Sequence, residues 1–320
     1  MLANKLTKVA ILYLTVLSIA LTSCGGGSAA TKTQAPANDL LVKILARGTI
    51  VVATDPAYPP QSERIAGAKR AANTKCAENE YTAAEFDGYD VASAMEVAKR
   101  LGVEACFVTP QWGEIISGSW AGRWDLSSGS MVITPERLKV LYFTQPYAAG
   151  FNVIFVHKDN VSFAKPSDLS GKRVGTCAGC VNEDYLKGTL VMPGATVNFA
   201  VKNAKIIGYN DDLSALQDLS KGDGVILDGV VTDQETGLQS IKNGLSVKQL
   251  SEPAFFSYSA MATDKKDSAN SMNLSIKVSE IIKQALDDGT LAKISKQYYN
   301  GTDYATAASQ FDFKSLGQFP

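Results

Sequence analysis

The stretch Trp124–Tyr147, WDLSSGSMVITPERLKVLYFTQPY, decides how the rest of this chain is read. A strand-like run from Trp124 to Ser127 meets a small-residue turn, and Thr134 then caps a short helix carrying Pro135, Glu136 and Arg137. Pro135 suits the first helical position because its missing N–H would have no partner there. Arg137 falls one turn in, beside Gly129, Ser130, Met131 and Val132, whose backbone amides can point at the same spot. A guanidinium fork next to free amides is how a protein holds a planar carboxylate. Read in isolation, TPER is an exposed arginine on a capped helix, because most arginines lie on surfaces. The flanking sequence favours the binding reading.

Elements alternate on either side. Thr49 to Thr54 reads as a strand, and Val91, Ala94, Met95, Ala98 and Leu101 form a helical apolar face that stops at Gly102. Ala105 to Val108 reads as a strand, followed by a helix near Glu114 to Trp120. Strands follow at Asn152 to Val156 and Arg173 to Thr176. Asp211 and Asp212 open a helix with Leu213, Leu216 and Leu219 on one face, ahead of a strand at Val225 to Leu227. Strands alternating with helices predict an α/β fold of parallel sheets covered on both faces. Ligands of such sheets bind beyond the carboxyl ends of the strands.

With 320 residues, 45% apolar and 20% charged, the chain can bury a large core and is long enough for two domains. Net charge is −1, and removal of residues 1–23, which hold Lys5 and Lys8 and no acid, leaves −3. That balance is too mild to suggest nucleic acid, and no basic cluster interleaved with aromatics is present, so no nucleic-acid partner is expected. Lys5 and Lys8 precede an apolar run from Val9 to Leu21 that is short for a bilayer span, as in a secretory signal. LTSC (Leu21 to Cys24) looks like a lipobox, which predicts lipidation of Cys24 and a membrane anchor. Cys24 to Asn38 is then a flexible Gly/Ser/Ala/Thr tether. The rest of the chain is expected outside the cytoplasm.

Four cysteines remain: Cys76, Cys106, Cys177 and Cys180. An even number in an oxidising compartment reads as two disulfides, and of three possible pairings Cys177–Cys180 with Cys76–Cys106 is favoured. CAGC (Cys177 to Cys180) also fits a redox motif or half a zinc site. Zinc would need further ligands, and the single histidine, His157, ends a strand-like run where it is expected on the surface. No metal and no cofactor is expected.

The motifs RGTIVVATDPAYPP, DGYDVASAMEVAKRLG, ITPER, FTQPY, DLSGKRVG and DDGTLAKISKQYYNG occur in that order between about Ile44 and Tyr299. In this the chain resembles the family 3 extracellular solute-binding proteins, receptors of ABC importers for polar amino acids. The resemblance implies a two-lobed periplasmic-binding-protein fold of type II, with hinge crossings near Ala148–Gly150 and Glu252–Phe256. Lobe 1 would span residues 41–149, lobe 2 residues 150–251, and residues 252–320 would return to lobe 1, where Leu274, Val278, Ile281, Ile282 and Leu286 share a helical face. Residues 1–23 would be the lipoprotein signal and 24–40 the tether. Between Pro60 and Phe86 the chain is longer than the family norm, and a Cys76–Cys106 disulfide would pin that insertion.

The resemblance also implies a site. Arg137 and the amides around Gly129, Ser130 and Val132 match the carboxylate clamp of lobe 1, and the helix start near Cys180 or Val181 matches its lobe 2 partner. Val132 and Val181 depart from the pattern, since a serine or threonine hydroxyl usually stands there. In LSKGDGVILDGVV, Asp228 is taken as the partner of the ligand ammonium, with Asp223 the competing candidate. Tyr58 and Trp112 match an aromatic pair that sandwiches the ligand side chain, and Asp55 a position that reaches its far end. The expected ligand is a free polar amino acid, with a cationic side chain favoured, and the expected partners are ABC permease subunits. The chain is expected to be a monomer and not an enzyme. A cyclohexadienyl dehydratase on the same scaffold is the alternative; it would need an acid or base aimed at the reacting atom.

Overall fold

The computed structural model describes residues 38–267 and 269–319. The predicted signal, the lipobox and Cys24 lie outside the described residues. Among the described residues no helix is long and apolar enough to cross a membrane.

The strands, in chain order, are β1 (Thr49–Ala53), β2 (Ala57–Tyr58), β3 (Ser62–Arg64), β4 (Tyr81–Thr82), β5 (Phe86–Asp87), β6 (Glu104–Val108), β7 (Leu126–Val132), β8 (Leu141–Phe143), β9 (Ala148–His157), β10 (Arg173–Cys177), β11 (Lys205–Tyr209), β12 (Gly229–Asp233) and β13 (Val247–Asp264). One large sheet runs β11-β10-β12-β9-β13-β7-β1-β6-β4, and β2, β3 and β5 form a small second sheet. The β7-β1-β6 and β11-β10-β12 sets are parallel. Between them lie the antiparallel strands β9 and β13, which run from one half of the molecule to the other. β13 is 18 residues long and irregular near Pro253, as expected of a residue that cannot donate to the ladder. This is the two-lobed, type II architecture, with β9 and β13 as the crossing strands.

Strands covered on both faces have no polar side, and their sequences show it. In β1, Ile50 and Val52 enter a core with Tyr89, Val97, Leu274, Val278 and Ile281, while Val51 and Ala53 enter another with Trp120, Trp124, Met131 and Phe143. The second half repeats the pattern. Ile154, Val156 and Val231 face Tyr185 and Leu186, whereas Val153, Phe155 and Val230 face Leu216 and Leu219. Helix Gln234–Lys242 lies so close to Phe155 that a Cβ on Gly237 would fall 2.0 Å from the ring. The helix Met272–Asp287 buries Leu274, Val278, Ile281 and Ile282 against the first half, as the sequence pattern requires.

Three local expectations are corrected. The helix after β6 spans Trp112–Ile116 and stops short of Trp120, because Gly118 and Ser119 take left-handed backbone. Val225–Leu227 is not a strand: Val225 is exposed and follows glycines at positive φ (Gly222, Gly224), and the strand begins at Gly229. His157 is buried, with its Nδ1 accepting from the Asp159 amide at 3.3 Å.

Candidate functional site

One cleft, with an open volume of about 660 Å³, collects side chains from the carboxyl ends of both parallel sets. Asp55 and Tyr58 follow β1, Trp112 follows β6, Gly129, Ser130 and Val132 close β7, and Arg137 lies on the helix Pro135–Leu138. From the other half come Cys177 at the end of β10, Cys180 and Val181 after it, Asn210, Asp211 and Asp212 after β11, and Asp233 at the end of β12. Asn152 of β9 and Ser257 and Ser259 of β13 form the floor. Eight of the nine residues expected at a ligand line this one cleft.

Asp228 does not. It sits at the amino end of the β12 segment, where its carboxylate accepts from the Arg173 amide (2.8 Å), Nε (3.2 Å) and Nη2 (3.0 Å). That ion pair occupies it, and its site assignment is withdrawn. The carboxylate at the carboxyl end of the same strand is Asp233. The competing candidate, Asp223, is also away from the cleft, accepting from Asn160 Nδ2 at 2.9 Å.

Arg137 is buried, and Thr134 caps its helix by accepting from the Arg137 amide. Its Nη1 donates to the Val132 carbonyl (2.9 Å) and Nη2 to the Gly179 carbonyl (3.1 Å), and the guanidinium lies 5.3 Å from the Trp112 ring centroid. Among the described residues no carboxylate is within ion-pair distance of it. Burial lowers its pKa to about 10. A desolvated cation with two carbonyl partners, and only the more distant Asp184 for opposite charge, is electrostatically incomplete. Trp112 Nε1 also donates to the Gly179 carbonyl, at 3.3 Å, so two side chains of the first half meet one backbone oxygen of the second.

The Ser130 amide, expected to face a carboxylate, is instead spent inside the protein. Ser130 takes left-handed backbone (φ 48°), and its N–H donates to the Tyr147 hydroxyl at 2.9 Å. Its Oγ donates to Asp90 Oδ1 at 3.0 Å, and Tyr147 donates to the same oxygen at 2.5 Å. Asp90 is buried behind the cleft, and burial pushes its pKa up to about 7. In the opposite turn the Gly179 amide donates to Glu183 Oε2 (2.7 Å), which takes it out of any anion cradle.

Acid dominates the second wall. Asp233 accepts from Gln61 Nε2 (2.7 Å) and the Glu235 amide (3.0 Å), and burial raises its pKa to about 7. Asp212 is raised to about 7 by burial, with Asp55 and Asp233 adding repulsion. Asp55, raised by burial, accepts from the Ala57 amide at 2.7 Å. Asp211, Asp212 and Asp233 were not singled out for the ligand by the sequence, which marked the first two only as a helix start. The usable signal for Asp233 was the end of the apolar run GVV, where a strand gives way to a helix.

The sulfurs of Cys76 and Cys106 lie at bonding distance, as do those of Cys177 and Cys180, with Cα–Cα separations of 5.5 Å in each pair. The first pair sets Cys76 of the 61–86 segment beside Cys106 of β6.

The family model of the bacterial extracellular solute-binding proteins, family 3, matches residues 50–301. The L-cystine-binding protein TcyJ of Escherichia coli strain K12 is 26% identical over 261 residues, covering 81% of this chain and 86% of that protein. ABC transporter arginine-binding protein 1 of the same strain is 26% identical over 219 residues, 67% of this chain and 82% of its own length. Among solved structures, an ancestral arginine-binding protein bound to glutamine is 28% identical with a TM-score of 0.62, over 79% of this chain and 98% of that one. These are binding proteins rather than enzymes, which sets the dehydratase alternative aside. With its family model spanning both lobes and the cleft between them, the chain belongs to the bacterial extracellular solute-binding proteins of family 3.

Proposed function

We propose that this extracytoplasmic protein is the receptor of an ABC importer and that its cleft takes a polar L-amino acid. One observation carries the reading: the buried Arg137, without an ion-pair partner among the described residues, and the carboxylate of Asp233 line the same cleft from different lobes. An α-amino acid offers one carboxylate and one ammonium on adjacent atoms and would complete both. In this reading Arg137 clamps the carboxylate, helped by the amides near Val132 and by the start of the helix Val181–Lys187. Asp233 takes the ammonium, with the carbonyl of Gly129 nearby, and Tyr58 and Trp112 flank the side chain. The relatives named for cystine and arginine support the ligand class.

The lobe boundaries near residues 149 and 251 and the return from 252 belong to the same proposal, as do lipid anchoring through Cys24, docking on permease subunits, and disulfides at Cys76–Cys106 and Cys177–Cys180. Alkylation with and without reductant, followed by peptide mapping, checks the disulfides: no thiol of the four should label before reduction.

The ligand reading is tested by thermal shift of the purified protein against the standard amino acids and their N-acetyl and carboxamide derivatives. An amino acid at about 100 times its dissociation constant should stabilise the fold by about 2.7 kcal/mol. Neither derivative of that amino acid should shift it. Equal shifts from the blocked derivatives would remove the roles given to Arg137 and Asp233.

A further inference from the structure

We propose that Asp212 is a specificity residue which, with Asp55 across the cleft, receives a cation at the far end of the ligand side chain, so that the site selects amino acids with a second positive charge. This rests on the amino-acid reading above.

Charge balance raises the question. Arg137 and Asp233 suffice for the carboxylate and ammonium of any amino acid. Three further acids line the same cleft: Asp55, Asp211 and Asp212. Asp211 is spent as the cap of the helix Asp212–Leu219, its oxygens accepting from the Ser214 amide (2.7 Å) and Ser214 Oγ (2.9 Å). Asp55 has the Ala57 amide on one oxygen. Asp212 differs. It is only 6% exposed, and its Oδ1 is buried without a hydrogen-bond partner. Asp233, by contrast, holds two donors on one oxygen.

A helix start does not account for Asp212. An acid in the first turn gains from the helix dipole, but the cap is already made by Asp211, and neither that gain nor the neighbouring Thr232 hydroxyl offsets the cost of a buried carboxylate with no cation beside it. Replacing the acid with an amide or an apolar residue would remove the cost, unless a cation arrives to meet it. Asp212, Asp55 and Asp233 all line the one cleft, so like charge surrounds Asp212.

The cleft also has room for a long side chain. Beyond Trp112 a second chamber opens that shares Asp55, Trp112, Asn210 and Asp211 with the main cleft. A side chain passing Tyr58 and Trp112 would keep its methylenes against rings and carry its charged end toward Asp55 and Asp212. An aromatic wall and paired acids suit a guanidinium or ammonium, and they repel a second carboxylate.

Calorimetric titration of the full chain with arginine, its neutral ureido isostere citrulline, lysine, glutamine and glutamate tests the proposal. Arginine or lysine should bind tightest, and arginine should exceed citrulline by about thirtyfold or more, the order expected when one partner of a buried charge pair is removed. In Asp212→Asn the arginine-to-citrulline ratio should fall about tenfold or more, because the charged ligand loses one of its two acids. Parity of the two ligands in the wild type would overturn the proposal without any variant being needed. So would an unchanged ratio in Asp212→Asn, or tightest binding of glutamine or glutamate, while leaving the amino-acid reading intact. Failure of every amino acid to bind would overturn both.

Discussion

At the amino end of β12 Asp228 is closed by three hydrogen bonds from Arg173, whereas at the carboxyl end Asp233 has only neutral donors and three acids, Asp55, Asp90 and Asp212, in the same low-dielectric region. Burial works to raise both carboxyls. At Asp228 the Arg173 hydrogen bonds and charge win and hold the pKa below the usual range, while at Asp233 burial wins. β7 repeats the contrast. Before its first residue Asp125 meets Arg47 and the Val51 amide, and beyond its last Arg137 has no ion-pair partner among the described residues. The amino ends of the strands are finished by the chain's own charges. The carboxyl ends face the cleft without such partners, and under the proposed function that difference separates the charges that hold the fold from those that bind.

The largest test of this contrast is Arg137→Ala. It should reduce affinity for the cognate amino acid at least about a hundredfold, within the roughly 2–5 kcal/mol expected when a buried charge loses its partner. The ligand-free variant should melt no lower than the parent, since the lost cation was only partly satisfied. Near-native affinity by calorimetry would break the clamp. Next come the two ends of β12. Asp233→Asn should weaken α-amino ligands about tenfold to a thousandfold while sparing analogues that lack the amine. Asp228→Asn should leave affinity within about twofold and lower only the melting temperature, by the small amount typical of a partly exposed ion pair. Loss of affinity in Asp228→Asn with none in Asp233→Asn would invert the comparison.

The same contrast explains what could be read from the sequence. Strand and helix alternation was visible because β1 is apolar throughout and the helix Tyr89–Leu101 is periodic and stops at Gly102. The short capped helix that carries Arg137 is legible because TPER holds its cap, its proline and its arginine within four residues. Asp228 was misplaced because ILDGVVTD offers two aspartates around one apolar run, and periodicity does not say which end of the run enters the sheet. Two glycines at positive φ decided it, by turning Val225 outward and starting the strand at Gly229. Ser130 was misread for a different reason. Its amide is claimed by Tyr147 and its hydroxyl by Asp90, residues 17 and 40 positions away that only the tertiary fold brings together. Asp212 reads as a helix start, and burial and the cap bonds made by its neighbour distinguish it from Asp211.

Protonation gives a third test. Asp90, Asp212 and Asp233 have pKa values pushed up to about 7 in the fold from 3.8, chiefly by burial. Asp55 and Asp211 face them with the same sign of charge, and among the cleft-lining residues Arg137 is the sole cation. Between about pH 4 and pH 7 the native state therefore binds more protons than the unfolded chain, so the unfolding free energy falls as pH rises. Urea midpoints of the ligand-free protein should decline from about pH 5 to pH 7.5 and then level. Asp233→Asn should flatten that decline. A cationic ligand favours the ionised acids, so its affinity should rise over the same window and its binding should release protons. Midpoints that rise with pH in the ligand-free protein would show these acids to be ionised and satisfied.

The smallest expected effect bears on which lobe completes the clamp. Val181 is the first residue of the helix Val181–Lys187, is 6% exposed and lines the cleft, but it offers no hydroxyl. Valine and threonine have nearly the same shape, so Val181→Thr changes little besides adding one donor. If the ligand carboxylate reaches this helix start, the new hydroxyl gains a bond worth about 0.5–1.5 kcal/mol, or roughly twofold to tenfold in affinity. In the ligand-free protein the same hydroxyl is buried without a partner and should lower the melting temperature slightly. The two readouts thus move in opposite directions, which a general packing defect would not produce. Unchanged or weaker binding, with the free protein destabilised, would mean that the carboxylate stops at Arg137 and that the second lobe contributes its acids alone.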